Sequence, residues 1–227
     1  MEAKMGQWVE LVADDGHRLD CYSTIPETEI KGGLVVIQEI FGVNAHIRAV
    51  AEGFAKEGFA VAAPSLFDRL ERHVELDYTP EGVANGRKMR VELGWDRPAT
   101  DLKAAIDYLR KYGKVATVGY CWGGSLAWLS ACRLSVAASV SYYGGQIVQL
   151  LEEKPKCPLM LHFGEKDDYI PPSDIEKIKA SFPSAEVYIY NAGHGFSCEA
   201  RADYHPESAE VARARTIDFL EKSLITT

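Results

Sequence analysis

The stretch from Val115 to Trp128, VATVGYCWGGSLAW, limits what this chain can fold into more than any other. A short β-branched run leads into Gly119-Tyr120-Cys121-Trp122-Gly123-Gly124, and an apolar pattern of helical spacing follows. That order predicts a strand, a sharp turn and a helix, the layout of a G-x-S-x-G nucleophile elbow with cysteine in the serine position. A side chain at Gly119 or Gly123 would collide with backbone in so tight a turn, and the strained turn pushes the central residue into the open. At a helix N-terminus the dipole favours a thiolate, so Cys121 reads as a nucleophile.

The rest of the chain supplies a sheet on which such a turn can sit. Gln7 to Ala13 and Arg18 to Ile25 read as two strands around the turn Asp14-Asp15-Gly16. Leu34 to Ile37 is a continuous apolar run, the pattern of a strand buried on both faces. Helical periodicity from Ile47 to Glu57 stops at Gly58, and the strand Phe59 to Ala63 is closed by Pro64. Helices near Glu81 to Leu93 and Ala99 to Lys111 precede the elbow strand. Strands near Ala137 to Tyr142, Leu159 to Phe163 and Glu186 to Tyr190 follow it, with helices near Ser173 to Ser181 and Pro206 to Lys222. The alternation predicts an α/β fold: one mostly parallel central sheet of about seven or eight strands with helices on both faces. At 227 residues and 47% hydrophobic content, a single domain over residues 1–227 is expected, with no cap domain.

Composition excludes several classes of function. A net charge of −8 argues against a nucleic-acid or membrane-surface partner, either of which favours a basic face. No apolar run approaches the roughly 20 residues of a membrane span. The odd count of five cysteines, and a start at Met1-Glu2-Ala3-Lys4 without an apolar leader, predict a reduced, cytoplasmic protein. With no CxxC pair and no HxxxH spacing, neither a metal nor a cofactor is expected.

In open α/β sheets ligands bind beyond the carboxyl ends of the strands. Four segments bring polar groups there: Gln38 to Gly42, Cys121, Gly164 to Asp168, and Asn191 to Phe196. Nucleophile, acid and histidine then occur in the chain order of α/β-hydrolase triads. His194 would take the thiol proton and return it to the leaving group, while Asp167 or its neighbour Asp168 fixes the imidazole tautomer. The backbone N–H groups of Ile40 and Trp122 are the natural pair to hold an oxyanion. Phe41, Trp122, Tyr143 and Phe196 are expected to line the acyl pocket, within walls built by residues 66–80, 142–149 and 196–205. His162, inside an apolar strand, reads as a hydrogen-bonded core residue.

Together these segments resemble the dienelactone hydrolase family of α/β-hydrolases over nearly the whole chain. The resemblance rests on Gln38-Glu39-Ile40-Phe41-Gly42-Val43-Asn44, on the cysteine elbow, on Gly193-His194-Gly195-Phe196, and on Arg215-Thr216 with Asp218-Phe219-Leu220. It implies that the triad acid is Asp167, two positions ahead of Tyr169-Ile170-Pro171. It also implies that Glu39 hydrogen-bonds the resting thiol and swings away when an anionic substrate arrives. A carboxylate beside Cys121 opposes thiolate formation, so removing it would activate the nucleophile. Arg69 is implied as one arginine gripping a substrate carboxylate. Cys198 stands where the family carries a second, with Arg201 three residues later as its substitute.

The expected activity is cofactor-free hydrolysis of a carboxylic ester or enol-lactone through an acyl-enzyme. A second reading keeps the site and changes the electrophile to a phosphotriester or thioester. A third makes Cys121 a redox-sensing thiol, for which the triad partners and the oxyanion loop would be surplus. A small molecule is the one partner expected, and the protein is read as a monomer or weak homodimer.

Overall fold

The computed structural model describes residues 6–225; the reading of Met1 to Lys4 as leader-free lies outside them. The chain opens with β1 (Gln7–Val12), β2 (Arg18–Thr24), β3 (Gly32–Ile37), α1 (Ala45–Lys56) and β4 (Phe59–Pro64). It continues through α2 (Pro80–Leu93), α3 (Asp96–Leu109), β5 (Val115–Tyr120), α4 (Trp122–Arg133) and β6 (Ser139–Tyr142). The last elements are β7 (Leu159–Gly164), α5 (Pro172–Ser181), β8 (Glu186–Tyr190) and α6 (Pro206–Ile225). All eight strands form one sheet in the order β1-β2-β4-β3-β5-β6-β7-β8. β1 and β2 make the hairpin and run antiparallel, and from β4 to β8 every pairing is parallel. This is the α/β-hydrolase fold.

Residue choice explains the sheet's position. Every residue of β3, β4 and β5 is buried, because helices cover both faces of the sheet and no position on a central strand meets water. On one face α1 and α6 lie together, with the Arg213 guanidinium 4.4 Å above the Phe54 ring. α3 and α4 pack against the strands from β3 to β6, and Trp128 of α4 meets Phe182 beyond α5 edge-on. Helix starts are set by capping groups: Asn44 accepts the Ile47 N–H at 3.2 Å, and Thr79 accepts that of Gly82 at 3.1 Å ahead of Pro80. Among the described residues no helix is long and apolar enough to cross a membrane.

The segment Leu66 to Pro80, whose charges suggest a surface loop near a site rim, is anchored in the core at its start. Leu66 to Arg69 form a 3₁₀ turn with Leu66, Phe67 and Asp68 buried, and Phe67 stacks on Trp122 at 5.5 Å. Its charges sit between apolar anchors that periodicity over so few residues cannot reveal.

His162 is the buried histidine that β7 was read to carry. Its ring nitrogens lie 2.8 Å from the Tyr190 hydroxyl and 3.0 Å from Thr216 Oγ1. Burial, aided by Arg215, lowers its pKa to about 3, so the folded state holds a neutral imidazole. The unfolded chain binds that proton near the ordinary histidine value of about 6.5, so stability drops as pH falls from there toward 3. At pH 5 the expected loss from this one group is roughly 2 kcal/mol. Urea unfolding of wild type and His162→Gln between pH 7 and 5 checks it: the variant's stability should depend less on pH by about that amount.

Candidate active site

The carboxyl ends of β3, β5, β7 and β8 bring the expected residues to one edge. At the end of β5 the backbone turns through Cys121, whose φ of 55° places a non-glycine residue in the left-handed region. The flanking glycines make this possible. A Cβ on Gly119 would lie 1.9 Å from the Gly123 carbonyl oxygen, and one on Gly123 would lie 2.4 Å from that of Ile37. The turn is tied down by the Cys121 N–H, which donates to the Tyr142 carbonyl at 3.0 Å, and α4 begins at the next residue.

Three side chains from three loops form one hydrogen-bonded line. His194 Nε2 lies 3.2 Å from Cys121 Sγ, and Nδ1 lies 2.7 Å from Asp167 Oδ2. The second Asp167 oxygen accepts the Tyr169 N–H at 2.8 Å, which fixes the carboxylate. Asp167, not Asp168, therefore reaches the histidine. Burial works against a charged imidazole here, but Cys121 on one side and Asp167 on the other outweigh it and raise His194 to about 10.

Ile40 and Trp122 line the cleft above the sulfur together with Phe41, Cys121 and His194. Glu39 is fully buried beside it. Its carboxylate accepts from Arg201 Nη1 at 3.1 Å and from the Tyr78 hydroxyl at 3.5 Å, while the Cys121 thiol lies on His194 instead. Arg201 thus folds back into the cleft as a partner of Glu39, and not of Glu199 or Asp203 on the surface.

Three expected substrate contacts lie elsewhere. Arg69 is held by Asp101 at 2.7 Å and Asp15 at 2.7 Å, away from the cleft, and its guanidinium serves the packing of α3. Tyr143 is buried behind His194, with ring centroids 5.2 Å apart and its hydroxyl on Ser197. Phe196 is buried between Tyr143 and Tyr190. Both aromatics support the histidine turn from the core instead of lining the cleft.

The cleft's outer wall comes from α2, where residues 66–80 were expected to supply it. α2 reaches the loop after β3 because Gly86 has no side chain: a Cβ there would lie 2.0 Å from the Ile40 carbonyl oxygen. This contact carries Val83, Arg87 and Arg90 over Cys121. The Arg87 guanidinium sits 5.3 Å from the Tyr169 ring centre, and that ring meets His194 edge-on at 5.1 Å. Arg90 is half-buried with no acidic partner among the described residues, and burial lowers its pKa despite the nearby Cys121. Sequence reading missed both arginines. The available signal was their i, i+4, i+7 spacing with Val83, which puts all three on one helical face.

The profile of the dienelactone hydrolase family matches residues 19–224. The carboxymethylenebutenolidase of Pseudomonas putida is 32% identical over 223 residues, covering 93% of this chain and 94% of that protein. Carboxymethylenebutenolidase 1 of Cupriavidus pinatubonensis is 31% identical, covering 93% and 95%. A Klebsiella pneumoniae protein whose crystal structure was described as a candidate dienelactone hydrolase superposes with a TM-score of 0.82 at 25% identity, covering 94% of this chain and 98% of its own.

The placement of Arg69 separates two roles by experiment. Its side chain is 10% exposed and that of Asp101 is fully buried, so Arg69→Ala leaves a carboxylate buried without its partner. The expected cost is about 3 kcal/mol of unfolding free energy, read by urea denaturation, with KM for anionic esters unchanged.

Proposed function

The chain belongs to the dienelactone hydrolase family, and on that premise we propose that it hydrolyses anionic carboxylic esters or enol-lactones through a covalent acyl-enzyme on Cys121. The observation that carries this reading is the hydrogen-bonded line from Cys121 through His194 to Asp167 at the floor of an arginine-rimmed cleft. In the first half-reaction the Cys121 sulfur attacks the carbonyl carbon with its proton held on His194 Nε2. Charge then gathers on the carbonyl oxygen. The Ile40 and Trp122 N–H groups suit that oxygen, since neither donates to a protein acceptor among the described residues. Collapse of the tetrahedral intermediate breaks the carbon–oxygen bond, and His194 protonates the departing alkoxide or enolate. In the second half, His194 takes a proton from water, hydroxide adds to the thioester, and the acid leaves as Cys121 is regenerated. Asp167 holds Nδ1–H throughout and stabilises the imidazolium.

Substrate charge follows from the rim. A half-buried guanidinium without an acidic partner is costly unless a ligand supplies the anion, and Arg90 is in that position beside the nucleophile. Arg87 and Arg201 add positive charge on either side. In this arrangement Arg201 occupies Glu39 and leaves the thiol to His194.

Two variants test the reading. Cys121→Ala should abolish turnover of activated aryl esters while the circular dichroism spectrum is retained; residual turnover at the wild-type rate would sink the nucleophile assignment. Arg90→Ala should lower kcat/KM about 10- to 100-fold for an ester carrying a carboxylate, the worth of one charge-assisted hydrogen bond. Its neutral isostere should be hydrolysed unchanged. Equal losses on both substrates would place Arg90 outside recognition.

A further inference from the structure

Behind Glu39, away from the cleft, three side chains from distant parts of the chain converge. Glu39 follows β3, His46 lies in the first turn of α1, and Cys198 lies in the turn after β8. A carboxylate oxygen, an imidazole nitrogen and the sulfur all lie within 4.8 Å of one another. We propose that Glu39, His46 and Cys198 form a binding site for a thiophilic divalent cation, Zn²⁺ foremost.

Donor chemistry selects the ion class. One sulfur, one nitrogen and one carboxylate oxygen suit a borderline-soft cation, whereas Mg²⁺ and Ca²⁺ take all-oxygen sites. With metal–ligand bonds of about 2.0–2.3 Å, tetrahedral ligands stand roughly 3.3–3.8 Å apart, so the three groups need to close by on the order of 1 Å. Water supplies the fourth position, as in other three-ligand zinc sites.

Independent features point the same way. His46 Nε2 is buried with no hydrogen-bond partner among the described residues, an imidazole nitrogen left unsatisfied in a polar setting. Cys198 is fully buried, and its sulfur is positioned by the Tyr78 hydroxyl at 3.4 Å, itself held by Asn44 at 3.0 Å. Such outer partners orient metal ligands. An open depression on the α1–α6 face reaches His46 and Glu199 and gives an ion a route in.

The step balances simply. The Cys198 thiol loses its proton to solvent as the sulfur–metal bond forms, and Glu39 exchanges its Arg201 hydrogen bond for the ion. No redox partner is required. The site does not depend on the reaction proposed above, because none of its chemistry passes through Cys121.

Cobalt(II) titration of Cys121→Ala protein tests the site with the competing cleft thiol removed. The expected result is a near-ultraviolet sulfur-to-cobalt charge-transfer band with visible bands of tetrahedral intensity, both abolished by added Zn²⁺. The band should vanish in Cys121→Ala/Cys198→Ser. In Cys121→Ala/His46→Gln, cobalt should bind about tenfold or more weakly, since even outer partners of a metal are worth about 10–100-fold. Circular dichroism confirms that each variant is folded, and His46→Gln carries the test if Cys198→Ser is not. Absence of cobalt binding, survival of the band without Cys198, or unchanged affinity without His46 would each overturn the proposal.

Discussion

The close approach of backbone at the elbow is the constraint on which the remaining geometry depends. β5 and α4 meet with no room for a Cβ at Gly119 or Gly123, and Cys121 takes a left-handed conformation that costs on the order of 1–3 kcal/mol. The surrounding structure over-determines that conformation. Tyr142 accepts the Cys121 N–H, Trp122 is stacked on Phe67, and the α4 residues from Trp122 to Cys132 are all buried. Register then does the rest: Gly119 pairs with Ile37 on one side and Tyr120 with Tyr142 on the other. Once β5 is fixed, the loops after β3, β7 and β8 have little choice about where their polar groups arrive.

A second constraint is how charge is distributed around that fixed sulfur. The chain is acidic overall, yet Arg87, Arg90 and Arg201 face one cleft, while Glu39 and Asp167 lie buried beneath it. Low dielectric strengthens each of these interactions relative to water. Asp167 therefore holds His194 firmly, and Glu39 holds Arg201. Because α2 approaches through Gly86, its arginines are carried on a helix packed directly on the loop after β3 that holds Ile40.

How much of this was legible in the sequence depends on how local each determinant is. Cys121, Asp167 and His194 each follow a strand end within a few residues, and parallel sheet topology sends strand ends to one edge. The same logic places Ile40 and Glu39, which follow β3, at that edge. Arg69 misled because side-chain direction from a 3₁₀ turn is decided by what the turn packs on, here the buried carboxylate of Asp101. Tyr143 and Phe196 misled because proximity in sequence to a functional turn says nothing about which side of the turn faces solvent. Arg87 and Arg90 were hidden by a helix whose docking rests on a glycine contact with a loop more than forty residues away. The Glu39, His46 and Cys198 cluster is non-local in all three members, so no spacing rule for cysteines and histidines would reveal it.

Glu39 is the point at which the two proposed activities meet. One carboxylate is shared between Arg201, which also faces the cleft, and the donor set that would hold a cation. An anion on Arg201 weakens the guanidinium's hold on Glu39 and frees it for the ion. By reciprocity, an ion on Glu39 frees Arg201 for an anion by the same factor. On the two proposals together, the acidic partner of a cleft arginine would couple the front and back of the sheet edge. That coupling is confined to side chains, because the elbow and the parallel register hold the backbone on both sides of Glu39.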